Sequence, residues 1–94
     1  MELNYKGTFR REYNAMGNRE LIKALKKKIA EIKKAKDISG INHLKRFRIY
    51  TRSWYKIEIT PEHSDKAYWI LCTIKNNLVE FRRIKPENYF KKNY

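Results

Sequence analysis

Cysteine, glycine, proline and acidic residues are all scarce in this chain, and each shortage narrows what the protein can be. A single cysteine, Cys72, leaves no intramolecular disulfide and points to a reducing compartment. Together with two separated histidines, His43 and His63, it cannot complete a standard zinc site, so no metal or other cofactor is expected. Three glycines and two prolines in 94 residues leave no flexible linker, no low-complexity tract and no internal repeat. No apolar run approaches the length of a signal or membrane-spanning segment, so the expectation is a cytoplasmic protein with no membrane partner and no small-molecule ligand. What remains, 41% hydrophobic and 14% aromatic residues, suits one small core and a single domain over 1–94.

The acid shortage is the most informative. Ten Asp+Glu face 23 Lys+Arg, a formal charge of +13. A small globule with this charge repels itself, and an anionic partner relieves the repulsion. RNA or another nucleic acid is the leading candidate, an acidic protein the second, and a membrane surface the third, because basic charge alone does not separate these.

The hydrophobic pattern changes period along the chain. Residues 1–16 read as a short strand followed by a short helix carrying Phe9, Tyr13 and Met16, and Gly17-Asn18 breaks it. Ile22, Leu25, Ile29 and Ile32, widened by Leu21, recur at three and four and predict a helix over 18–36 with Asn18 as N-cap. Its other face holds Lys26, Lys27, Lys28, Lys33, Lys34 and Lys36. Asp37-Ile38-Ser39-Gly40 ends it. From about residue 44 the period is two: Tyr55, Ile57 and Ile59 alternate with Trp54, Lys56 and Glu58. Ala67–Lys75 is apolar on both faces and predicts a central strand. Asn76-Asn77 predicts a hairpin turn, since Asn tolerates positive φ. Leu78–Ile84 predicts a further strand with Val79, Phe81 and Arg83 on one face. Pro86 suits the first turn of a short C-terminal helix containing Tyr89 and Phe90. The expected class is α+β: an antiparallel sheet of three to four strands, two N-terminal helices packed on it and a short C-terminal helix.

The stretch Leu44–Ile57 carries Lys45, Arg46, Arg48, Arg52 and Lys56, with Phe47, Tyr50, Trp54 and Tyr55 among them and no acid. Cationic groups neutralise phosphates, and rings stack on unpaired bases. Lys45, Arg46, Arg48 and Arg52 are therefore the expected RNA-backbone contacts, with Tyr50 and Trp54 as stacking partners. Such a charge run is also what a plain solvated edge looks like, and alternating aromatics in a strand are also what a core looks like. Lys56, Arg82 and Arg83 are the candidates for stabilising a reacting phosphate, and Tyr89 for acid–base or positioning work. The plain alternative for the arginines is an ion pair with Glu80 or Glu87, and for Tyr89 an anchoring ring. Cys72, in the most apolar segment, reads as core.

The order of these segments resembles the RelE/ParE toxin superfamily of type II toxin–antitoxin modules, nearest to its RelE/HigB-like branch. Leu25 to Ser39 resembles the family's long second helix and following turn, Asn42 to Phe47 its N-x-K-K-L segment, Tyr55 to Ile59 its Y-R-I-R-I strand, and Leu78 to Ile84 its last core strand. The resemblance spans roughly Phe9 to Phe90. It implies a RelE-like fold and a metal-independent endoribonuclease that enters the ribosome, cuts mRNA, inhibits translation and is occluded by a cognate antitoxin. Its partners would be the ribosome with its mRNA and that antitoxin. This chain departs from the pattern at Lys56 and Glu58, where the strand arginines stand, at Trp69, at a further arginine position, and at Lys85-Pro86-Glu87-Asn88, where the family carries His-Arg. A ParE-like action on DNA gyrase, or a binding protein that has lost catalysis, stays open beside the nuclease.

Overall fold

Two opposite demands shape the sheet: the Ala67–Lys75 segment is apolar on both sides, and its neighbours are apolar on one. The computed structural model describes residues 1–49, 52–63 and 66–89, with the backbone alone at 47, 49 and 52. In chain order the elements are β1 (Glu2–Tyr5), α1 (Gly7–Asn14), α2 (Arg19–Lys34), a 3-10 turn at Ile38–Gly40, β2 (Leu44–Ile49), β3 (Arg52–Ile59), β4 (Tyr68–Lys75) and β5 (Leu78–Pro86). Residues 87–89 add a helical turn; Pro86, expected in the first turn of that helix, is instead the last residue of β5, and Phe90 lies outside the described residues. The five strands form one sheet in the order β1-β5-β4-β3-β2.

The α+β expectation holds, and the sheet differs from the expected three to four antiparallel strands in two ways. Strand β1 adds itself parallel to β5, pairing Leu3 with Val79 and Tyr5 with Phe81. Leu44–Ile57, where the period of two begins, folds as a hairpin of two strands, β2–β3, with Leu44 opposite Ile57 and Phe47 opposite Trp54. The first difference arises because a four-residue edge strand is stabilised by a partner distant in the chain, which local periodicity does not register. β4 is the middle strand, as its two-sided apolar pattern requires.

Helix α2 begins where Asn18 Oδ1 accepts from the N–H groups of Glu20 and Leu21, at 3.0 and 3.2 Å. It buries Leu21, Leu25 and Ile32. It ends two residues short of the expected 36 because Ala35 turns extended, and Asp37 then caps the next turn through the Ser39 N–H. Both helices cover one sheet face. There Phe9, Leu25 and Ile32 pack with Ile57, Ile59, Ile70, Cys72, Val79, Phe81 and Ile84. Tyr5 stacks on Phe81 at 5.3 Å, and Phe9 meets Phe81 at 5.4 Å. At the β4–β5 hairpin Asn76 adopts φ 56°, the left-handed conformation expected of that turn.

One correction places the functional face. Period two assigns Val79, Phe81 and Arg83 to the same side of β5. A bulge intervenes: Cys72 faces Phe81, yet the next β4 residue, Leu71, faces Arg83. Arg82 is the extra residue. Phe81 and Ile84 both stay in the core, while Arg82 and Arg83 turn to the face opposite α1 and α2.

This register makes a deletion test. Removing Arg82 joins Phe81 to Arg83 and yields a regular ladder with no side chain changing face. The variant is expected to fold, at a cost of about 1–2 kcal/mol for its lost polar contacts. Removing Glu80 instead swings Val79 out of the core and is expected to cost several-fold more. Urea unfolding of the two deletions against the parent checks the contrast.

Candidate nucleic-acid interface

The face of the sheet opposite the helices carries a small second cluster, Trp69 and Leu71 buried, with Trp54 and Tyr89 against them. Sheet register arranges cations around it. One row across the sheet reads Lys45, Lys56, Leu71, Arg83, and the next pairs Trp69 with Glu58 on one side and Lys85 on the other. Lys56 and Arg83 thus stand one strand apart on either side of Leu71, roughly 10 Å at the backbone. Side chains of their length can close that gap over a single phosphate.

The rings hold these cations in place. Lys56 Nζ lies 4.7 Å and Lys45 Nζ 5.7 Å from the Trp69 ring centre. Arg82 lies 5.2 Å from that of Trp54, and its Nε donates to Thr73 Oγ1 at 3.0 Å. Arg83 lies 5.4 Å from the Tyr89 ring centre, and its Nη1 donates to the Tyr89 hydroxyl at 3.1 Å. Lys85 Nζ is 5.3 Å from the same ring. Each contact contributes about 0.5–1 kcal/mol where solvent reaches it. Lys45 and Lys56 are also directly opposed like charges across the β2–β3 pair.

The structure brings together Lys56, Arg82, Arg83 and Tyr89, the four residues expected to do chemistry, and adds Lys45 and Trp54 to them. It does not keep the expected backbone contacts together. Arg46 pairs with Tyr55 and Arg48 with Ser53, which places both on the helix side of the hairpin, exposed. Arg46 donates to Ser53 Oγ at 2.9 Å. The hairpin is therefore basic on both faces. Tyr50 lies outside the described residues, as does the Arg52 side chain. Lys85 was not singled out from sequence, although its alternation with Arg83 places it on this face.

The expected ion-pair partners of the arginines are partly replaced. Glu80 lies 3.6 Å from Arg82 and 2.7 Å from Lys6. Arg83 pairs instead with Glu12 of α1, at 3.0 Å. Glu12 also meets Lys85 Nζ at 2.7 Å and accepts the Ile84 N–H at 3.0 Å. β1 pairs with β5 only as far as Phe81, so Glu12 satisfies a strand-edge donor that β1 does not reach. Partial burial pushes the Glu12 carboxyl up, but the bonds from Arg83, Lys85 and the Ile84 amide outweigh it and hold it below the ordinary glutamate value of 4.5.

The other candidates sit apart from this face. His43 and His63 occupy turns with left-handed backbone, φ 62° and 61°, a conformation His adopts more readily than most residues. Burial pushes the Cys72 thiol up to about 12, which leaves it un-ionised and inert. A mixed cleft of about 610 Å³ opens between α2 and the end of β3, lined by Lys27, Lys28, Glu31, His43, Glu58 and Glu62 among others. No group of three or more metal-ligating side chains occurs among the described residues, and no helix there is long and apolar enough to cross a membrane.

Glu12 makes acid stability testable. A carboxyl held low in the folded state stabilises the protein above its unfolded pKa and loses that contribution as pH falls through the folded value. Glu12→Gln is expected to lower stability by about 1–3 kcal/mol at pH 7 and to lose less between pH 5 and 3 than the parent does, read by thermal melts across that range.

Comparison of the chain with protein-family models, with curated proteins and with solved structures returned no match.

Proposed function

We propose that this protein is a RelE-like toxin of a type II toxin–antitoxin module, a metal-independent endoribonuclease that cuts mRNA on the ribosome. The observation that carries this reading is the sheet face opposite α1 and α2, where Lys56, Arg82, Arg83 and Tyr89 converge on one apolar floor. Cleavage by attack of a ribose 2′-OH builds negative charge on a pentacovalent phosphate, and preorganised cations stabilise it. In this reading Lys56 and Arg83 clamp the phosphate from either side of Leu71, in one row of the sheet. Arg82, fixed by Thr73 and Trp54, holds a neighbouring phosphate. Tyr89, bonded to Arg83, sits where its hydroxyl can exchange a proton with the reacting sugar or leaving oxygen.

Binding is the work of a wider surface. Lys45 on the reactive face, Arg46 and Arg48 on the other face of the hairpin, and the exposed Lys26, Lys27, Lys33 and Lys34 of α2 supply contacts to ribosomal and messenger RNA backbone. The antitoxin of the module would cover this charge with acidic or apolar surface of its own.

Expression under an inducible promoter, followed by primer extension on a translated message, tests the reading. New message ends coincident with growth arrest are expected. Growth arrest with intact mRNA overturns the nuclease and leaves a ParE-like action on DNA gyrase, for which stabilised gyrase cleavage complexes are the measurement. Arg83→Ala is expected to lower cleavage by about 10²–10³ with ribosome binding largely kept. Arg46→Ala is expected to do the reverse, weakening binding and reducing its salt dependence.

A further inference from the structure

Glu12 is an acid in the middle of a cationic site. Its carboxylate lies between Arg83 and Lys85, 3.0 Å from one and 2.7 Å from the other. Its second oxygen is fixed by the Ile84 N–H. It belongs to α1, which the core holds through buried Phe9, so it reaches the site from a separate element. A planar anion with two oxygens, one on a guanidinium and an ammonium and the other on a backbone amide, matches two oxygens of a phosphate group. Three donors, two of them cationic, already bind the carboxylate and hold its proton affinity low, so it is poorly placed to act as a general base.

We propose that Glu12 is a built-in stand-in for an RNA phosphate: RNA docks by exchanging a backbone phosphate for the Glu12 carboxylate at Arg83 and Lys85, and Glu12 thereby sets the affinity and salt dependence of the site. The proposal rests on the reading of this face as an RNA surface. Without RNA the stand-in neutralises two cations that would otherwise repel each other, and holds Arg83 against Tyr89. With RNA it becomes the competitor that keeps contact with bulk polyanion weak. A merely structural Glu12, capping the β5 edge, has the opposite signature, since its loss would loosen the site.

The test uses a labelled, single-stranded 2′-O-methyl RNA, which resists cleavage, and fluorescence anisotropy at several salt concentrations. Glu12→Gln keeps an acceptor for Ile84 and removes the charge. It is expected to bind roughly tenfold tighter than the parent, with the slope of log affinity against log salt steeper by about 0.7 for each cation released. Glu12→Asp keeps the charge and is expected to stay near the parent. Unchanged or weaker binding by Glu12→Gln, or equal tightening by both variants, overturns the proposal. As a measurement that needs no variant, the 13C shift of the Glu12 carboxyl is followed while the same RNA is added to the parent protein. Movement toward the shift of an unpaired carboxylate is expected, and a shift that stays fixed while RNA binds overturns the stand-in. Absence of RNA binding by parent and variants alike overturns the RNA reading itself, whereas binding without a Glu12 effect overturns this inference alone.

Discussion

Strand β4 carries apolar side chains on both faces, Ile70 and Cys72 on one and Trp69 and Leu71 on the other, and neither face can be left to water. The first is covered by α1 and α2. The second faces away from α1 and α2; the rings of Trp54 and of Tyr89, from the helical turn at 87–89, pack on it, and Lys45, Lys56, Arg83 and Lys85 surround them. Long basic side chains can do this because their stems are apolar and their charges reach solvent at the tips. A cationic surface is thus a consequence of how the centre of the sheet is sealed.

The same arrangement settles where the charge goes. Nothing in a strand of alternating residues presents two successive arginines to one side, and the bulge at Arg82 does so without disturbing Phe81 or Ile84. Indole and phenol rings beneath the cations limit their motion, and Glu12 and Glu80 neutralise the ones nearest α1 and β1. On the β2–β3 side of the site, Lys45 and Lys56 face each other across the strand pair.

Much of the local structure is legible from the order of residues. The 3.6-residue spacing of Leu21, Leu25 and Ile32, the Asn18 cap and the Asn76 turn are properties of short windows, and short windows decide them. The strand apolar on both faces is legible as central for the same reason. The face of Arg83 is not, because one inserted residue reverses a period-two argument. The division of the basic run is legible only after the hairpin is recognised: alternation then sends Lys45 one way and Arg46 and Arg48 the other. β1 was readable as a strand but not as a parallel partner of β5, since a crossover through two helices leaves no local mark.

By itself, then, the sequence determined the α+β class, the cap and apolar stripe of α2, the central position of β4, and a strong positive charge concentrated around the hairpin and β5. Tertiary structure alone decided that Lys56, Arg82, Arg83 and Tyr89 share one face, that Trp69 lies beneath two lysines, and that Glu12 closes on Arg83 and Lys85. The Glu12–Arg83 pair is separated by 71 positions in the chain. Periodicity and capping act over a few residues, whereas an ion pair across such a distance exists only once a sheet edge and a helix have been packed side by side.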